Sequence, residues 1–184
     1  MGQVTKPAAL AILALSVTTS VYALPTADIP TAEPEYLAKV KTAAPEQIVS
    51  KSTITMQMKD GTTKTLQSGT NGFTCLILGD GTPVCADENA MEWRKAASAK
   101  TDPPNKVGFM YMLAGDTGAN NEALGQSASH QHWVQTGPHV MIVGPMVKGM
   151  SGYSRTVDVV DATQPYVMFP GTPYEHLMLP VAGN

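Results

Sequence analysis

The spacing of apolar and polar positions along the 184 residues changes period several times, and each change predicts an element. An apolar run over residues 8–17 comes first. Residues 35–44 set Tyr36, Leu37 and Val40 at helical spacing, and Pro45 can end that helix or start a short turn through Ile48. From 52 to 59 the chain alternates, with Ile54, Met56 and Met58 on one face and Thr53, Thr55 and Gln57 on the other, which predicts a half-buried strand. Asp60-Gly61 makes a hairpin turn into a return strand over 62–68, and residues 69–72 turn again into a strand over 73–78. Residues 52–86 therefore read as a meander.

Asp87 is placed to cap a helix running to about residue 99. Residues 107–113 read as a strand, 115–125 as an exposed Gly/Asn-rich loop, and Trp133 as the start of another strand. A strand over 139–143 is bounded by Pro138 and Gly144-Pro145. Residues 148–155 read as loop, and 165–180 as two short strands broken at Pro170-Gly171. Strands and helices do not alternate regularly, so the expected class is α+β: a small antiparallel sheet with an N-terminal and a central helix.

The start of the chain changes this picture. Lys6, the apolar run, and Val21 and Ala23 as small residues before a cut form the pattern of a cleavable leader over 1–23. Residues 24–34, with Pro25, Pro30 and Pro34, read as a flexible lead-in, and 35–184 as one domain. The apolar run is too short to span a bilayer, and no later segment is apolar enough. The expected location is periplasmic or secreted. In such a compartment Cys75 and Cys85, set symmetrically about the Gly79-Asp80-Gly81 turn, are expected to form a cross-strand disulfide. The net charge is −3, and removal of Lys6 makes the chain more acidic, which argues against nucleic acid as a partner. The residues after 23 contain no Asn-x-Ser/Thr acceptor.

Nucleotide-binding glycine loops, a His-Glu-x-x-His helix and the Gly-x-Ser-x-Gly elbow are absent from the sequence. Methionine is abundant instead, 11 counting the initiator. Met56/Met58 and Met110/Met112 repeat at i, i+2, and two further pairs join histidine to methionine: His139-Val140-Met141 and His176-Leu177-Met178. On a strand each pair shares a face. If the two strands are neighbours, two imidazoles and two thioethers gather, a soft donor set suited to copper. The same residues can equally be core, because methionine fills irregular interiors without any ligand. His130-Gln131-His132 is a second candidate pair, and Asp116, Asn120 and Glu122 supply carboxylate and amide oxygens in a loop whose spacing is not that of an EF-hand. Trp93 and Trp133 read as core or cleft residues.

Several stretches resemble a group of uncharacterised exported Gram-negative bacterial proteins: 71–75 through Cys85, Ala90-Met91-Glu92-Trp93, 136–145, 165–168 and 171–178. The resemblance covers most of the chain after the leader. It implies export and a bacterial source, and no activity. The functional expectation is a non-enzymatic binding protein for a metal or small ligand, with His139, Met141, His176 and Met178 as candidate copper ligands. Two alternatives stand beside it. One is a hydrolase-like enzyme using His139 or His176 as general base beside Tyr174 or Glu175. The other is an interaction protein with a methionine-rich surface.

Overall fold

A computed structural model describes residues 1–2, 29–122, 132–158 and 160–181. The expected leader lies outside these residues apart from its first two, and His130 lies outside them too. The described residues contain three α-helices: α1 (Glu33–Val40), α2 (Glu46–Val49) and α3 (Glu88–Ala99). The strands are β1 (Thr53–Gln57), β2 (Thr63–Gln67), β3 (Phe73–Ile77), β4 (Pro83–Asp87), β5 (Gly108–Met112), β6 (Ala119–Asn120), β7 (Trp133–Val134), β8 (His139–Val143), β9 (Tyr166–Met168) and β10 (His176–Pro180).

The class is α+β. Eight strands form one sheet in the order β2-β1-β3-β4-β5-β8-β10-β9, and β6-β7 is a separate two-stranded ribbon. Residues 52–86 depart from a simple meander. The hairpin at Asp60-Gly61 forms, but β2 lies at the sheet edge, and β3 pairs with β1 in parallel. The 67–73 connection makes this possible by passing over the end of β1: Thr70 and Asn71 donate their backbone N–H groups to the Lys51 carbonyl. Met58, expected on the buried face, falls past the strand end in the turn and is exposed. Residues 145–149, expected partly as loop, form a 3-10 turn.

The two sheet faces carry separate cores. Helices α1 and α2 cover the β1–β3–β4 end, where Tyr36, Val40, Val49, Ile54, Cys75 and Cys85 cluster. The Tyr36 hydroxyl donates to the Thr55 carbonyl and accepts from the Ile77 N–H, so one buried phenol ties α1 to two strands. Helix α3 lies on the other face, with Ala90, Trp93 and Ala97 in a cluster with Val84, Ala86, Met110 and Met141. Asp87 begins this helix as its sequence requires, accepting from the Ala90 N–H at 2.8 Å. Close seating depends on Gly108, where a Cβ would lie 2.4 Å from the Ala90 nitrogen.

Cys75 and Cys85 pair directly across β3 and β4 and form the expected disulfide, fully buried beneath α1. The cysteines are 10 residues apart, and closing a loop of that size constrains the unfolded chain by about 3 kcal/mol. Replacing both, as Cys75→Ala/Cys85→Ala, is expected to lower the unfolding free energy by about that amount. Urea denaturation of the two proteins measures it, and an unchanged midpoint would show that the pairing of β3 with β4 carries the stability alone.

Candidate functional site

The register of β5, β8, β10 and β9 decides which side chains meet. Met110, Met141 and Met178 pair in one continuous row across β5, β8 and β10. His139 pairs with Met112 on one side and Pro180 on the other. His176 pairs with Val143 and with Met168. The two His-x-Met strands are therefore neighbours, and both motifs face the same way. Because the strands run antiparallel, the histidines fall on opposite sides of the methionine row rather than side by side.

All five methionines of these four strands project to this face, while Phe109, Tyr111, Val140, Ile142, Val167, Leu177 and Leu179 occupy the other. The methionines and both histidines line a cleft of about 220 Å³ between the sheet and α3. Its rim includes exposed Asp80 and half-buried Arg94, Asp116 and Gly118.

Both imidazoles are buried, His139 at 0% and His176 at 1% exposure. The Nδ1 of His139 meets the Gly137 carbonyl at 2.7 Å, and that of His176 meets the Tyr174 carbonyl at 2.9 Å. A carbonyl only accepts, so each Nδ1 carries the proton and each Nε2 keeps a lone pair. Among the described residues neither Nε2 has a partner. Burial lowers the pKa of both rings. For His139, the Gly137 bond and the nearby Asp116 oppose that shift in part. His176 falls to about 4, through burial first and with a smaller contribution from His139. Both rings are thus neutral at pH 7.

His176 is clasped by aromatic edges, with Trp93 and Phe169 each 5.3 Å away between ring centroids. The Trp93 N–H is buried without a partner. Phe169 holds a left-handed φ of 54°, a conformation that costs a bulky residue about 1–3 kcal/mol. At the His139 end, Asp116 accepts from the Gly118 and Thr136 N–H groups at 2.9 Å each, and its carboxyl pKa is raised by burial. Asp80 accepts from the Thr82 N–H and the Thr117 hydroxyl, joining the β3–β4 turn to the loop that carries Asp116.

The other sequence candidates do not join this set. Glu175 accepts from the Gly171 N–H at 2.8 Å and lies 3.6 Å from Arg155, and the Tyr174 hydroxyl donates to the Thr101 carbonyl. Neither side chain is hydrogen-bonded to an imidazole, Tyr174 meeting His176 only through its backbone carbonyl. His132 sits 3.2 Å from Asp158 and 3.8 Å from Glu122. Asn120 and Asp116 accept from backbone N–H groups two residues on, shaping the loop. Among the described residues no three His, Cys, Asp or Glu side chains gather as a metal site would need. Met56 packs with Ile54 in the opposite core. Sequence reading did not single out Arg94, Asp80, Phe169 or Met168 as cleft residues. Met168 alone carried a signal, a methionine on a short strand two residues before the Pro170-Gly171 break.

Compared with known proteins, the chain matches no family model, no curated protein and no solved structure.

The depressed His176 pKa has a consequence for stability. The unfolded ring takes up its proton near pH 6.5, and the folded ring only near pH 4. Between these values the unfolded chain binds more protons, so stability present above pH 6.5 is lost as the pH falls toward 4. The full span is on the order of 3 kcal/mol. Chemical denaturation at pH 7 and pH 4.5 is expected to show a smaller acid loss for His176→Gln than for the parent chain. Equal losses would place the acid sensitivity in other groups.

Proposed function

We propose that this is an exported, non-enzymatic binding protein that takes a soft metal ion, Cu(I), in the cleft, with His139, Met141, His176 and Met178 among its ligands. One observation carries the reading: two buried, neutral imidazoles, each held by a backbone carbonyl at Nδ1, keep an unpartnered Nε2 in a cleft lined with thioethers. A ligating histidine commonly has its second nitrogen fixed in this way. Thioethers select Cu(I), and imidazole binds either copper state. Zinc finds no suitable cluster of histidine, cysteine and carboxylate among the described residues. Both cysteines are consumed in the disulfide, so the proposed donor set contains no thiol. The leader pattern and the disulfide support an oxidising compartment, where a thioether and imidazole set remains usable.

The test is competition for Cu(I) against a chromophoric chelator under ascorbate, which leaves the disulfide intact. The parent chain is expected to withdraw copper from the chelator and to ignore Zn(II). His139→Ala/His176→Ala is expected to weaken retention by about 100-fold or more, since thioethers alone remain. Copper left wholly with the chelator, or retention unchanged by the double substitution, overturns the reading.

A further inference from the structure

We infer that the cleft holds two Cu(I) ions rather than one, each bound by one histidine and two methionines; the inference rests on the copper reading above. The first site comprises His139, Met141 two residues along β8, and Met112 paired with His139 across β5. The second comprises His176, Met178 two residues along β10, and Met168 paired with His176 across β9. Each set has the same construction: an imidazole, a same-strand thioether on the same face, and a cross-strand thioether at the directly opposite position. Paired Cα atoms lie about 4.5–5.5 Å apart and same-face neighbours about 6.7 Å apart, within the joint reach of an imidazole and flexible thioethers.

A single ion shared by both histidines fits the sheet poorly. His139 stands opposite Pro180, and His176 starts four residues before Pro180 on the same strand. The two Cα atoms are therefore separated by about 13 Å along the strands. An imidazole spans about 4–5 Å from its Cα and a metal–nitrogen bond adds about 2 Å, so bridging would require both rings stretched flat along the sheet. Each Nδ1 bond runs to the carbonyl two residues earlier, on opposite sides of the methionine row, which turns each Nε2 back toward the methionine of its own strand.

The surroundings distinguish the sites. The His139 site lies in the field of Asp116, whose carboxylate favours a bound cation. The His176 site is walled by Trp93 and Phe169. Trp93 packs directly against the ring that would bind the ion. Trp93 is also a built-in reporter, because copper at its neighbour would quench its emission; Trp133, whose indole lies against Gly118 at the cleft rim, is replaced as Trp133→Phe for this readout.

The purified chain, loaded with Cu(I) under ascorbate and freed of excess metal, supplies the test through copper content and X-ray absorption at the copper edge. Two equivalents are expected, with an average of one nitrogen and two sulfur neighbours per copper. His139→Ala and His176→Ala should each retain one equivalent. The volume-conserving Met112→Leu should weaken only the first site by about tenfold or more, and Met168→Leu only the second. Quenching of tryptophan emission should survive His139→Ala and vanish in His176→Ala. A single equivalent that either histidine substitution abolishes would overturn the two-site inference while leaving the copper reading in place. Two equivalents retained by both single variants would overturn it by putting the donors elsewhere. No bound copper at all would overturn both.

Discussion

The cleft depends on the registry of three strands. Met110, Met141 and Met178 align across β5, β8 and β10, and that alignment sets the two histidines on opposite sides of the row. In a sheet, a slip of one residue turns every side chain to the other face. Here such a slip in β8 would carry His139 and Met141 out of the cleft and bring Val140 and Ile142 into it. The turns on either side hold the pairing. Gly144 takes a φ of 116° against the Lys106 carbonyl, where a Cβ would lie 2.0 Å from the oxygen, so the exit of β8 has room for glycine alone. The opposite ends of the same strands are joined by the Val181 N–H donating to the Pro138 carbonyl.

On that frame, α3 and the surrounding loops make a cleft where a solid core would otherwise form. Gly108 lets the first turn of α3 rest against β5, and Trp93 reaches over the sheet to the His176 ring. The region then concentrates unfavourable features. Two imidazole nitrogens and an indole N–H are buried without partners, and Phe169 sits in a left-handed conformation beside them. An unsatisfied buried polar group costs about 1–3 kcal/mol. Costs of this kind are a common feature of functional sites.

Much of this was legible in the chain. The alternation at 52–59 and 139–143, the Asp87 cap, the Asp60-Gly61 turn and the cysteine pair all express local rules, and each produces the expected element or bond. The two His-x-Met motifs were legible for the same reason, since period two alone puts both residues on one face. Strand order was not. The parallel pairing of β1 with β3 is decided by how the 67–73 segment crosses, and no local signal reports that. Asp80 read as a turn residue, and its carboxylate does shape that turn. Its second oxygen reaches Thr117, 37 residues away, and sequence spacing carries no trace of that contact. Met58 shows the converse limit, since the alternating pattern runs one residue beyond the strand and the turn takes the side chain into solvent.

The two faces of the same strands differ in their methionine content. If methionine were only a filler for irregular space, it would appear on both faces of β5, β8, β9 and β10. Instead the face away from the cleft carries Val140, Ile142, Val167, Leu177 and Leu179 with two aromatics; Val167 and Leu177 are buried there with Val147, Met150 packs beside them, and Phe109 is exposed. The cleft face has five thioethers from the same four strands, together with both buried histidines. A long unbranched side chain is a poor choice for specifying a rigid core, because its rotamers are many. It is a good choice where sulfur atoms must adjust by fractions of an ångström around a ligand. All five methionines also belong to the buried core beneath α3, and theirs is the side on which the unpartnered imidazole nitrogens lie.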